Sequence, residues 1–188
     1  VSTLRTMLKQ QTQVLHAALE ATPLMQAMTS GHPNGNEYQR YLQLQWQLHK
    51  SLEDAIRPWL APVEWPLRLA RSSWLEHDLE AIGARPGELE SAVVDGLDSD
   101  AAALGALYVL EGSSLGLQIL SKRVSADAPG LAGARRFIVG HGDEAGRSWQ
   151  SFLARLESVP EAGWPEAVVA ADSVFRAFVL AFEDCSHD

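Results

Sequence analysis

The chain reads as an all-α protein, one helical bundle-like domain over residues 1–188, on three observations. Apolar residues recur at intervals of three and four between clusters of Gly and Pro, the period of helices buried along one face. The β-branched residues are scattered, and no stretch alternates apolar with polar for more than a few positions. With 188 residues, 46% of them apolar and 21% charged, there is material for a sizeable core in a globular balance.

Six to nine helices are expected. Leu4, Leu8, Leu15 and Leu19 mark the first, with Ser2 or Thr3 as N-cap. Pro23 permits a bend into a short helix from Leu24 to Met28, followed by the loop from Ser30 to Asn36. A long helix runs from about Glu37 to Trp59 with Tyr38, Tyr41, Leu42, Leu48, Leu52 and Ile56 on its stripe, ended by Pro58 and Pro62. Residues 67–82 repeat the pattern and stop at Gly83 and Pro86. The next helix starts at Asp100, passes Gly112 and continues through Leu115 and Ile119 to Val124. Asp143 to Leu156 and Pro165 to Asp184 complete the set.

Charge and cysteine content narrow the function classes. A net charge of −9 argues against general binding to nucleic acid or an anionic membrane, since both need a basic face. The single cysteine, Cys185, cannot form an internal disulfide or a Cys-rich metal site, which fits a reducing, cytoplasmic compartment. No apolar run approaches the ~18 residues of a membrane span, so no membrane partner is expected.

Two segments could carry chemistry. Lys9 and His16 lie seven residues apart, two helical turns, and so face the same way about 10 Å apart. Glu20 follows one turn beyond and can reach the His16 ring. Such a set suits a haem: one imidazole nitrogen on iron, the other held by a carboxylate, and an ammonium for a propionate. A solvated His-x-x-x-Glu pair on a helix surface has the same spacing. The second segment runs from Ala106 through Tyr108, Glu111, Gly112, Ser113, Ser114 and Gly116 to Leu120. Glycine costs about 1 kcal/mol relative to alanine inside a helix, so two glycines four apart need a reason. Close helix–helix packing is one reason; a flat ligand resting directly on the backbone is the other, with Ser113 and Ser114 holding freed carbonyls or water.

Together these segments resemble the haem oxygenases, most closely the bacterial biliverdin-producing group. The resemblance rests on Leu4-Arg5 … His16 … Leu19-Glu20 and on Leu107-Tyr108-Val109-Leu110-Glu111-Gly112-Ser113-Ser114-Leu115-Gly116. Trp74 to Leu79, Arg136 to Gly142, Trp149 to Phe152 and Phe175 to Phe178 extend it along essentially the whole chain. It implies a haem between a proximal helix bearing His16, the axial iron ligand, and a kinked distal helix at Gly112 to Gly116. Haem would be substrate and cofactor together. O2 and an external electron donor, a reductase or ferredoxin-type protein, would complete the reaction to biliverdin, CO and ferrous iron. Gly112, Ser113 and Gly116 would carry the distal, catalytic role. Lys9, His16, Glu20, Tyr108 and Phe175 would bind the haem with them. A monomer is expected, and a biliverdin-using photoreceptor is a conceivable client.

The sequence departs from the family pattern at named positions. Leu117 stands where many relatives have glycine, and Ser113 where the mammalian enzymes carry an acid. Leu107 occupies the place of a tyrosine near the propionates, leaving Arg147 and Arg176 as further cationic candidates. Leu117 keeps open an alternative, a non-catalytic haem or tetrapyrrole binding protein on the same fold. A di-iron site is disfavoured, because no Glu-x-x-His spacing occurs. His49, His77 and His141 are expected as surface or structural histidines, His187 as part of a frayed tail, and the tryptophans as core or loop anchors.

Overall fold

The structure, a computed structural model, describes residues 3–88, 94–124, 131 and 133–184. Ser2, Cys185 and His187 lie outside the described residues; among the described residues no strand occurs.

Helix α1 spans Leu4–Ala21, with Thr3 Oγ1 accepting from the Thr6 N–H as its N-cap. Helix α2 spans Pro23–Thr29. Helix α3, Gly35–Ile56, starts two residues ahead of the expectation because Asn34 and Glu37 form a reciprocal capping box. It ends at Ile56 because Pro58 has no N–H for the next helical bond, and Arg57–Trp59 tightens into a 3-10 turn.

The helix expected over residues 67–82 is two. Helix α4 is Trp65–Arg68 and helix α5 is Arg71–Ala81, parted at Leu69 and Ala70. The cause sits on α3. The buried Glu53 carboxylate accepts from the N–H of Arg71 at 2.8 Å and of Ser72 at 3.2 Å, and from Ser72 Oγ at 2.6 Å. Those N–H groups are available only if a helix begins there, so a carboxylate from another helix caps α5.

Helix α6 spans Asp100–Arg123 and remains α-helical through Gly112 and Gly116. It meets the length and apolarity of a membrane span, with mean hydropathy 1.3, contrary to the expectation that no segment would. Its apolarity is that of a core helix, with 61% of the span buried. A short α7, Arg136–Val139, was not expected. Asp78, wholly buried on α5, accepts from the N–H of Arg136 and of Phe137, each at 2.8 Å. Helix α8 is Ala145–Leu156 and α9 is Trp164–Asp184.

Helix α9 is the floor of the arrangement, packing against both α1 and α6. A Cβ on Gly105 of α6 would stand 2.0 Å from the Ala167 carbonyl oxygen of α9, so backbone meets backbone at that crossing. Helices α1 and α6 share this neighbour yet scarcely touch each other.

Candidate functional site

The space that keeps α1 from α6 is a cavity of about 690 Å³, inside the range of about 300–1,000 Å³ usual for small-molecule sites. His16, Lys9 and Glu20 line it from α1. From α6 come Tyr108, Gly112, Ser113, Gly116 and Leu117, and from α9 Phe175. Every residue the resemblance assigns to haem or to the distal role thus faces one cavity, while Ala106, Glu111 and Ser114 of the second segment do not.

His16 is open to ligation. Its side chain is 58% exposed, its Nδ1 lies 3.6 Å from Glu20 Oε1, and its ring leans on Phe175 at 5.8 Å between centroids. That separation is an ion-pair distance rather than a hydrogen bond, so Glu20 stands near the ring without yet holding it.

The glycines of α6 divide by what a side chain would meet. At Gly105 it would drive into α9, as above. At Gly116 it would meet nothing within 4 Å, and at Gly112 only the rim of Trp149, 3.8 Å away. Close packing therefore explains Gly105 and not the other two. Gly112 and Gly116 present bare backbone to the cavity.

The serines part company. Ser113 Oγ donates to the Leu110 carbonyl at 2.7 Å, satisfying a helix carbonyl as expected. Ser114 turns to the opposite face, where its Oγ accepts from Arg71 Nη2 at 2.9 Å, so it holds neither a freed carbonyl nor cavity water.

The cationic assignments also need correction. Arg147 pairs with Glu144, and Arg176 Nε donates to Asp172 Oδ2 at 2.6 Å, each on its own stretch of chain and neither lining the cavity. The cations that do line it are Arg5 and Lys9 on α1 and Arg123 at the end of α6. Burial pushes the Tyr108 phenol up, while Arg5 nearby pulls it down. Leu107, in the place of the family tyrosine, is core.

Several lining residues escaped the sequence reading. Tyr41, Gln45, Phe137, Trp149 and Phe178 all border the cavity. For Tyr41 and Gln45 the signal was a polar residue every fourth position along α3, Tyr41, Gln45, His49 and Glu53, all buried; Phe137, Trp149 and Phe178 carried none. His49 is 1% exposed between the rings of Phe137 and Phe178, at 5.4 and 5.9 Å. Burial, with Arg71 as second cause, holds its pKa well below the ordinary 6.5. His77 is exposed beside Asp78, and His141 packs edge-on to Trp74 at 5.0 Å. Among the described residues no three His, Cys, Asp or Glu side chains converge on a point, and His16 is the one histidine lining the cavity.

Comparison with known proteins decides the family. A family profile described as heme oxygenase matches residues 2–184. The chain belongs to the haem oxygenase family. A curated haem oxygenase from Xanthomonas campestris pv. campestris is 31% identical over 160 residues, 82% of this chain and 94% of that protein. The solved haem oxygenase of Neisseria meningitidis, studied with NO and CO bound, superimposes with a TM-score of 0.74 at 24% identity, covering 98% of this chain and 92% of that one. Haem oxygenase from Leptospira interrogans gives 0.72 at 17%, over 97% and 100% of the two chains. The haem complex of haem oxygenase-1 from the cyanobacterium Synechocystis gives 0.70 at 16%, over 97% and 92%. At these identities the structural neighbours share the haem oxygenase fold, while the profile and the curated relative establish the family.

Proposed function

We propose that this haem oxygenase family member, a single domain over residues 1–188, binds haem in the α1–α6 cavity and cleaves it to biliverdin, CO and ferrous iron. The observation that carries this reading is the facing of an accessible histidine by a helix whose glycines are bare toward the same space. When bound, haem is substrate and oxygen-activating group at once, with O2 as oxidant and electrons from an external donor.

The chain's own residues divide the remaining work. His16 would hold the iron through Nε2, because Nδ1 is the nitrogen turned to Glu20. Arg5, Lys9 and Arg123 are the cations within reach of carboxylates entering the cavity, and Phe175 and Tyr108 supply apolar wall. Ser113 has committed its one hydroxyl proton to the Leu110 carbonyl, so toward the cavity it accepts. It would orient a water there rather than donate to the ligand. Gln45 on the wall offers amide donors, and His49 one turn deeper is held neutral by burial.

A non-catalytic haem carrier is the second reading, and Leu117 was its support. Leu117 lines the cavity but is only 8% exposed, so most of its side chain packs against the protein and little of it enters the ligand's space, which favours the enzyme. A reductase or ferredoxin-type donor, a monomeric state, a cytoplasmic site of action and a biliverdin-using photoreceptor as client complete the proposal. The lone cysteine fits the reducing compartment of the cytoplasmic part.

The test is to add haem, then ascorbate or a ferredoxin system, and follow the Soret band. Decay into a bilin spectrum is expected. A Soret band that persists under competent reduction would leave binding alone.

A further inference from the structure

The bare distal wall raises a mechanical question. A helix normally sets its distance from a neighbour with side chains, and on the cavity side Gly112 and Gly116 have none. The height of that backbone must therefore be set from behind.

Behind it lies a buried ionic cluster. Glu111, the residue before Gly112, faces away from the cavity, forms an ion pair with Arg68, whose Nη1 lies 3.2 Å from Oε2, and accepts from Arg71 Nη1 at 3.4 Å on Oε1. Arg71 also donates to Ser114 Oγ at 2.9 Å and, through Nη1, to the Arg68 carbonyl at 3.1 Å. Arg68 reaches on to α8, donating to the Ser148 carbonyl and Oγ, each at 3.1 Å, and to Ser151 Oγ at 3.2 Å. The Arg71 N–H is pinned by Glu53 of α3. Both arginines and Glu111 have side chains no more than 5% exposed. The break between α4 and α5 is thus a hub tying α3 and α8 to the back of α6 at the turn that carries the glycines.

Ions in this position are not explained by stability. Replacing buried ion pairs with apolar side chains of similar volume is often neutral or stabilising. What charged, hydrogen-bonded groups add over apolar ones is direction, since an arginine fork donates to its partners only along fixed N–H vectors. An apolar back face would hold α6 by packing alone; this one adds fixed bond directions.

We propose that Arg68, Arg71, Glu111 and Ser114 form a clamp that fixes how far the Gly112–Gly116 backbone stands from the face of the ligand. Glu111 and Arg71 are thereby positioning residues for the reaction, acting through the distal helix rather than touching haem. The clamp rests on the haem reading above, and the experiment separates the two.

The variants are Glu111→Gln, Glu111→Asp and Ser114→Ala, with Trp46→Phe as comparator because the Trp46 indole N–H ties α3 to Glu76 of α5 and touches no residue of the clamp. In the ligand-free chain, hydrogen exchange of α6 amides from Tyr108 to Leu117 is expected to accelerate about ten- to hundredfold in Glu111→Gln and less in Ser114→Ala, as loss of charge-assisted bonds allows. In the ferrous haem protein, CO dissociation is expected to change by about threefold or more and biliverdin isomers to broaden, while haem affinity stays within about threefold. Glu111→Asp, which keeps the carboxylate, should restore part of each effect, and Trp46→Phe should leave all of them near wild type. If Glu111→Gln fails to fold, Ser114→Ala carries the same comparison. Unchanged α6 exchange, CO dissociation and isomer pattern, alongside a stability loss like that of Trp46→Phe, would overturn the clamp. A wild-type chain that takes no haem would overturn the functional reading, and the exchange measurement would still decide whether the clamp holds α6.

Discussion

Gly105 and Gly116 lie eleven residues apart on one helix, and alanine at each should act in opposite directions. At Gly116 the added methyl meets nothing within 4 Å, so the ligand-free chain should gain the helix propensity of alanine, about 0.5–1 kcal/mol. At Gly105 the same methyl would sit 2.0 Å from the Ala167 oxygen and 2.6 Å from its carbonyl carbon and Cα, all backbone atoms that cannot swing aside. Relief requires α6 and α9 to part along a dense crossing, an overpacking cost of about 1–3 kcal/mol that outweighs the propensity gain. Urea unfolding of the ligand-free protein reads both signs. Haem titration then separates them again. The Gly116 methyl fills space the ligand needs, so Gly116→Ala should bind haem about tenfold more weakly although it is the more stable protein. A Gly116→Ala protein that is less stable, or that binds haem as wild type does, would refute the view that this glycine is reserved for a ligand.

Three further outcomes follow from named contacts. Asp78→Ala removes the carboxylate that caps α7 and leaves two N–H groups without their acceptor, and should cost about 3 kcal/mol in urea unfolding. His49 is held neutral by burial, so its depressed pKa contributes stability above pH 6.5 that is lost as pH falls through the folded-state value. Between pH 7.5 and 5.5 that amounts to about 1.4 kcal/mol, which His49→Leu should remove from the pH dependence of unfolding. Glu53 runs the other way: its carboxyl is raised above 4.5, first by burial, so its contribution is present at low pH and lost as pH rises through the folded value. Comparing His49→Leu with wild type cancels that term. Lastly, Lys9→Glu should weaken haem binding, while Arg176→Glu, on a residue that does not line the cavity, should leave the Soret titration unchanged.

What was legible in the sequence was whatever lay within one helix. Lys9, His16 and Glu20 share a face because their spacings are seven and four, and α1 forms on an ordinary apolar stripe with Thr3 at its cap. The glycine pair was visible as an anomaly of propensity, though spacing alone could not say which glycine meets a helix and which meets a void. Gly105, the one that packs, went unremarked because a lone glycine among alanines looks ordinary. The missed elements depend on distant partners. Glu53 caps a helix 18 residues on and Asp78 one 58 residues on, and no periodicity in α5 or α7 announces either. The misjudged cations were decidable locally. Arg147 has Glu144 three residues before it and Arg176 has Asp172 four before it, spacings that favour pairing on the surface. Arg123 offered no such hint, since its place at the cavity depends on how α6 lies over α1.

The central claim is that the cavity between His16 and the glycine helix is where haem is held and cleaved, and His16→Ala measured beside the wild type tests it most directly. With haem, reductant and O2, the wild type is expected to show a histidine-ligated haem spectrum that decays to biliverdin, and His16→Ala to lose both the spectrum and the product. If the variant keeps the same spectrum and forms biliverdin at the wild-type rate, iron is held elsewhere and the site described here is not the active one.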